Sequence, residues 1–199
     1  MEFTDEQRDF LTEVINVGVG RAAGILNELL DIEIKLEVPY LELRTEGSIP
    51  NSLQLEENLS IVEQRFSGET NGKASLIFPS KSAIKLVSLL TGEDEESDML
   101  DSVRSGTLLE VGNIVINGLI GSISNILNAD LTFELPEFME GDIQQTMPAV
   151  EKGKIIILAN TVFELMDTEI DSGFMIITLE FSNIEKLLNS DLNSIDMIF

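Results

Sequence analysis

The chain contains no cysteine and no histidine among its 199 residues. Without cysteine it can form no disulfide, no thiolate metal site and no cysteine nucleophile. Without histidine it lacks the commonest general base, the commonest metal ligand and every Ser-His-Asp arrangement. Any chemistry that this protein performs must therefore rest on other side chains.

Positive charge is also scarce, because 12 Lys and Arg residues stand against 36 Asp and Glu residues, for a net charge of −24. Such a surface repels the phosphates of nucleic acids and anionic lipids, so we expect no nucleic-acid partner and no membrane insertion. The best candidate for a membrane helix is interrupted by Asn113, Asn117 and Asn125. The acidic start of the chain lacks the pattern of a signal peptide, so the expected location is the cytoplasm.

One short pattern, E-x2-N-x22-P, occurs twice, and the second copy begins 97 residues after the first. One such match would be a weak signal, but two in register predict a duplicated fold with two equivalent sites. The first copy consists of Glu13, Asn16 and Pro39, and the second consists of Glu110, Asn113 and Pro136.

Hydrophobic periodicity predicts the same order of elements in both halves. Thr4 and Gln7 form a predicted capping box at the start of the first helix, and Pro39 is expected at an edge or a bend of the strand that follows. The predicted helices cover about 5–30, 81–90, 98–128 and 182–190. The predicted strands cover about 32–38, 59–67, 72–79, 130–136, 154–165 and 173–180, with loops at 44–58 and 137–152.

Each half therefore has the predicted order α-β-β-β-α, and the halves span about 1–97 and 98–199. Neither half can bury both faces of its own sheet, so we expect one domain over 1–199 with pseudo-two-fold symmetry. The predicted fold class is α/β, of the α+β type, with a mostly antiparallel sheet and two long helices that carry the sites. The small residues of the 18–24 segment predict close packing of the first helix against another helix or the sheet.

A helix brings Asp9, Glu13 and Asn16 within one stripe of its surface, with Glu13 and Asn16 as neighbours. Taken alone, such a stripe is typical of an ordinary polar helix face. Its repetition at Glu110 and Asn113, again with a proline 23 residues further on, favours a functional pair.

The duplicated pattern closely resembles the motif of the CheC/CheX/FliY family of chemotaxis phosphatases, [DS]-x3-E-x2-N-x22-P. The first copy fits it completely, with Asp9 in the leading position. In the second copy Gly106 stands where the family has Asp or Ser. The length and the two copies resemble CheC, whereas CheX is shorter with one motif and forms dimers, and FliY carries an additional flagellar-switch domain.

The resemblance implies hydrolysis of the aspartyl phosphate on a CheY-type response regulator. Asn16 and Asn113 would position the attacking water, as Gln does in GTPases, and Glu13 and Glu110 would each bind a lysine of the regulator. Asp9, Pro39 and Pro136 would support the substrate sites.

The same resemblance implies no metal site in this chain and Mg²⁺ supplied by the regulator. We expect a monomer. The alternative is an adaptor with weak or no catalysis that binds the phosphorylated regulator, the receptor deamidase CheD, or both.

Overall fold

The computed structural model describes residues 4–44, 58–92, 102–141, 154–165 and 168–180. Within these ranges three helices and seven strands follow one another. The elements are α1 (Asp5–Leu30), β1 (Ile34–Arg44), β2 (Leu59–Gly68), β3 (Gly72–Pro79), α2 (Ser80–Thr91), α3 (Ser102–Leu127), β4 (Leu131–Phe133), β5 (Glu137–Gly141), β6 (Lys154–Leu165) and β7 (Thr168–Glu180).

Helix α1 begins where its sequence predicts. The Thr4 hydroxyl accepts a hydrogen bond from the Gln7 amide, and the Gln7 side chain accepts one from the Thr4 amide, which completes the capping box. The helix is capped by Asp31, which has a left-handed backbone conformation and whose amide donates to the carbonyl of Asn27. Both ends of this long helix are thus fixed by local hydrogen bonds.

All seven strands belong to one sheet in the order β1-β6-β7-β3-β2-β4, with β5 also paired to β2. Every pairing between described strands is antiparallel. The sheet mixes strands of both halves, since β1 pairs with β6 and β2 pairs with β4 and β5. The mixed helix and antiparallel-sheet class is therefore confirmed.

The two outer ladders of the sheet correspond to each other under the same shift of 97 residues that separates the motif copies. Leu36 pairs with Phe163 in one ladder, and Phe133 pairs with Phe66 in the other. Arg44 likewise pairs with Ile156, and Gly141 pairs with Leu59. Duplication with two-fold symmetry stays a prediction, which these matching registers support.

Both prolines of the motif lie where an outer ladder is interrupted. The register of β1 against β6 shifts between Glu37 and Tyr40, on either side of Pro39. Pro136 lies between β4 and β5, in the three residues that separate these strands. Proline has no amide hydrogen to donate to a ladder, so these are the positions that tolerate it. The expectation of an edge or bend at Pro39 is confirmed.

The sequence prediction fails in detail around Pro136. We predicted one strand over 130–136 and a loop from 137, whereas the structure has two short strands, and β5 lies inside the predicted loop. The break at the proline ends the first strand early, and pairing with β2 restores strand structure beyond it. The predicted helix at 182–190 lies outside the described residues.

Helices α1 and α3 cross at a point where each of them has a glycine, Gly18 and Gly118. A Cβ atom on Gly18 would lie 2.7 Å from the Cα of Leu119, and one on Gly118 would lie 2.9 Å from the Gly18 carbonyl oxygen. Only residues without a side chain allow this approach. The close packing predicted for the small residues of α1 is thereby confirmed at Gly18, and the crossing sets both long helices side by side.

The larger core joins the three helices to one face of the sheet, and a smaller apolar cluster lies on the other face. Helix α3 is long and apolar enough to cross a membrane by length and composition, but half of its most apolar window is buried inside the protein. Its side chains from Leu108 to Ile123 supply much of the larger core. In this structure α3 has the packing of a core helix.

Candidate functional site

The first motif copy brings a half-buried amide and an exposed acid to the edge strand β1. Asn16 projects from α1 towards β1, where its Nδ2 donates to the Val38 carbonyl oxygen at 3.1 Å. The Val38 amide in turn donates to Asn16 Oδ1 at 2.8 Å. Glu13, one turn earlier on α1, is exposed.

The interruption of the ladder explains why Asn16 binds Val38. Val38 lies in the segment where β1 loses its register with β6, so its peptide groups need other partners. The Asn16 carboxamide satisfies both of them. Asn16, Leu36, Glu37, Val38 and Pro39 together line a shallow pocket of about 340 Å³.

Asn16 retains hydrogen-bonding capacity after it has bound Val38. A carboxamide has two N–H donors and two acceptor lone pairs, and Val38 uses one of each. One donor and one acceptor remain, on a side chain whose orientation is fixed by two main-chain hydrogen bonds. A water molecule held by both would be positioned from two directions.

The second motif copy holds its amide differently. Asn113 Oδ1 accepts a hydrogen bond from Asn117 Nδ2 at 2.8 Å and one from Gln64 Nε2 at 3.3 Å. Gln64 Nε2 also donates to the Glu134 carbonyl oxygen at 2.9 Å. Helix α3 lies directly on β2 here, since a Cβ atom on Gly112 would be 2.5 Å from Val62 Cγ1. This contact brings Asn113 within reach of Gln64.

Main-chain groups fix the orientation of both amides, directly at the first site and through Gln64 at the second. At the first site the Val38 amide must face an oxygen, and its carbonyl must face a nitrogen. At the second site the Glu134 carbonyl must face Gln64 Nε2, which then requires an oxygen of Asn113. The same logic places the nitrogen of Asn117 towards Asn113.

The shift of 97 residues identifies the residues that differ between the two sites. Thr161 corresponds to Gln64, and Gly20 corresponds to Asn117, so the first site has neither supporting amide. Val38 corresponds to Leu135, yet Val38 is 1% exposed and Leu135 is 89% exposed. The first site buries this residue and the second presents it to solvent.

The remaining residues predicted for the sites are found around the two pairs. Asp9 is exposed one turn before Glu13, and Pro39 is exposed. Glu110 is exposed beside the half-buried Asn113, and Pro136 is half-buried. Gly106, at the position of the leading acid, has open space where a side chain would begin.

Three side chains of β1 form a hydrogen-bonded chain next to the first site. The Tyr40 hydroxyl donates to Glu42 Oε1 at 3.0 Å, and Arg44 Nε donates to Glu42 Oε2 at 2.8 Å. The Arg44 hydrogen bond holds the pKa of Glu42 below its ordinary value, and partial desolvation together with Glu42 raises the pKa of Tyr40. The corresponding residues at the second site are Glu137, Met139 and Gly141, which cannot form this chain.

Sequence reasoning missed Gln64, Asn117 and the Val38 peptide. The signal for Gln64 was available in part, because its neighbours at alternate positions on β2, Val62 and Phe66, belong to the core beneath the helices. A glutamine in a row of core-facing residues requires a polar partner. Within the described ranges no group of three or more acidic side chains gathers that could hold a metal ion.

Two comparisons of sequence identify relatives. The family profile described as "Chemotaxis phosphatase CheX" matches residues 60–160, about half of the chain. The protein described as "CheY-P phosphatase CheC" from Bacillus subtilis (strain 168) is 25% identical over 193 residues, which cover 92% of each chain.

Solved structures share the fold at lower identity. The match to FliY of Thermotoga maritima has a TM-score of 0.75 at 16% identity and covers 98% of this chain and all of that one. A CheX protein from Desulfovibrio desulfuricans matches with a TM-score of 0.51 at 17% identity, over 84% of this chain and 99% of that one. The FliM middle domain from H. pylori matches with a TM-score of 0.63 at 15% identity, over 95% of this chain and all of that one, and a chain of the FliG–FliM complex from H. pylori matches with a TM-score of 0.63 at 14% identity, over 94% and 99%.

Proposed function

The chain belongs to the chemotaxis phosphatase family CheX, and from this premise we propose that it hydrolyses the aspartyl phosphate of a CheY-type response regulator in the cytoplasm. The observation that carries the proposal is the repeated pair of an exposed glutamate and an amide of fixed orientation, on two long helices that meet opposite sides of one sheet's strand order, β1 in the first copy and β2 in the second. Neither a surface glutamate nor a half-buried asparagine needs this arrangement to stabilise a helix.

The reaction suits a site without a nucleophile. An acyl phosphate is already reactive, so the main requirement is a water molecule held in line with the bond that breaks. The water oxygen forms the new bond to phosphorus, and the bond from phosphorus to the aspartyl oxygen breaks. The aspartate leaves with the electron pair as a carboxylate, and the proton of the water passes to the released phosphate.

Asn16 and Asn113 are the groups that position this water. Asn16 has one donor and one acceptor left after binding Val38, and Asn113 has its Nδ2 group left after binding Gln64 and Asn117. Glu13 and Glu110 bind a lysine of the regulator, and their exposure suits a contact with a second protein. Mg²⁺ is held by the regulator and neutralises charge on the phosphoryl group.

The test is phosphate release from a phosphorylated CheY-type receiver domain, with and without the protein. The double variant Asn16→Ala plus Asn113→Ala should abolish the stimulated release while the fold persists. The matched control is Asn71→Ala plus Asn125→Ala, which removes two exposed asparagines outside both sites. Full activity of the first double variant would show that these residues do not perform the reaction.

The second candidate function is an adaptor that binds the phosphorylated regulator, CheD or both, with little turnover. Asn16 favours it, because its hydrogen bonds to Val38 give this residue a structural role that needs no catalysis. The fold also occurs in FliM, whose solved complex is with FliG, so the architecture serves binding too. A pull-down with CheD beside the phosphate-release assay separates the functions: capture without turnover supports the adaptor.

A further inference from the structure

Gln64 is the more buried of the two side chains that donate to Asn113. It lies on β2 beneath α3 and is 3% exposed, so its amide has lost nearly all contact with water. A buried amide is costly unless its hydrogen bonds are made. Gln64 Nε2 makes two of them, to Asn113 and to the Glu134 carbonyl.

The network around Asn113 leaves two buried acceptors without hydrogen-bond partners among the described residues. Gln64 Oε1 is buried and has no hydrogen-bond partner among the described residues, and the same is true of Asn117 Oδ1. Both side chains instead direct their nitrogens at one atom, Asn113 Oδ1. Two buried acceptors without partners oppose stability, so the network is better explained by what it does to Asn113.

The two donors occupy both lone pairs of Asn113 Oδ1. This prevents the amide from turning over, because the reversed orientation would set nitrogen against nitrogen. Asn113 Nδ2 has no hydrogen-bond partner among the described residues, and it is not one of their fully buried polar atoms. The free side of Asn113 thus offers N–H donors and no acceptor.

We propose that Gln64 and Asn117 are positioning residues for Asn113, which they hold so that the second site acts on its ligand as a hydrogen-bond donor only. The proposal rests on the function proposed above. The groups that suit such a donor are the oxygen of the attacking water and the oxygens of a phosphoryl group, both of which accept hydrogen bonds. The first site, with Thr161 and Gly20 at the corresponding positions, has no such restriction.

The test compares Gln64→Leu in two backgrounds. In Asn16→Ala protein only the second site remains, and kcat for phosphate release should fall roughly 10- to 100-fold with KM nearly unchanged, because the amide is misplaced while Glu110 still binds. In Asn113→Ala protein only the first site remains, and Gln64→Leu should leave its rate unchanged. An equal loss in both backgrounds, no loss in the first, or an inactive Asn16→Ala protein would overturn the proposal.

Two further variants guard against a simple folding defect. Gln64→Met keeps the length of the side chain but has no hydrogen-bond donor, and it should reproduce the loss at the second site. Thr161→Val, at the corresponding position of β6, is the matched control and should leave the second site unaffected. The midpoints of thermal unfolding of all variants should be compared with that of the parent protein.

A readout without catalysis separates failure of this proposal from failure of the proposed function. In the NMR spectrum of the free protein, the side-chain amide protons of Gln64 and Asn117 should exchange slowly with solvent, and those of Asn113 quickly. The opposite pattern would overturn the proposed orientation even if the protein is an active phosphatase. The expected pattern in an inactive protein would leave the orientation standing and refute the phosphatase function.

Discussion

The two candidate sites of this protein carry the same Glu–Asn pair but support it in different ways. Asn16 is held by the main chain of Val38, which occupies one of its two N–H donors and one of the two lone pairs of its oxygen. Asn113 is held by two side chains, which use its oxygen fully and leave its nitrogen free. The same residue type at corresponding positions therefore offers different hydrogen-bonding groups to a ligand.

The difference also shows what each asparagine contributes to the fold. At the first site the amide bridges α1 to an interrupted edge strand, so it replaces two missing ladder hydrogen bonds. At the second site the strand is broken into β4 and β5, and the corresponding residue, Leu135, is left in solvent. Two copies of a motif can thus keep the same residues while one copy takes on a larger structural role.

The strongest test of this comparison is the stability of the single variants. Asn16→Ala should lower the free energy of unfolding by about 1–3 kcal/mol, because it leaves the Val38 amide and carbonyl without partners. Asn113→Ala should cost less, because Gln64 keeps its hydrogen bond to the Glu134 carbonyl. Urea denaturation of the two variants measures the difference. Equal losses, or a larger loss for Asn113→Ala, would contradict the structural role assigned to Asn16.

Local signals in the sequence predict most of the fold correctly. The capping box at Thr4 and Gln7, the long helices and the alternating strands depend on neighbours in the chain. The break at Pro136 was missed because β5 exists through its pairing with β2, about 75 residues earlier. A strand of five residues with mixed polarity gives no sufficient signal of its own.

The sequence predicts only part of the arrangement around each motif asparagine. The spacing of Asn16 and Pro39 reflects the bond from Asn16 to Val38, but a spacing alone does not show which atoms meet. Gln64 contacts Asn113 from a strand 49 residues earlier in the chain, and no local pattern links the two. The motif identifies the residues that would act on a ligand, and only the packing of α3 on β2 identifies those that hold them.

A smaller effect is expected when either motif glutamate is replaced, because this change should weaken binding of the regulator. Glu13→Gln in Asn113→Ala protein should raise KM by about 3- to 10-fold, because a charge-assisted contact to a lysine is lost. Glu110→Gln in Asn16→Ala protein should raise it less, since the second site has the exposed Glu137 where the first has Tyr40. Steady-state phosphate release at low and high salt measures both effects. A fall in kcat with KM unchanged would place the glutamates in the chemical step instead.

The smallest expected effect concerns Gly106, where the second motif departs from the first. A glycine within a helix lowers stability, and the site has open space for a side chain, so Gly106→Ala should raise the free energy of unfolding by about 0.5–1 kcal/mol. Asp9→Ala is the matched change at the first site; Asp9 is exposed on a helix that is already capped, so it should change stability by less than about 0.5 kcal/mol.

Gly106→Asp completes the second motif and therefore shows whether the leading acid matters. If that acid helps to bind the regulator, Gly106→Asp in Asn16→Ala protein should lower KM by the same factor by which Asp9→Ala raises it in Asn113→Ala protein. If neither variant changes KM, the leading position has no part in binding. The functional difference between the sites would then reside in the hydrogen bonds made by the two asparagines.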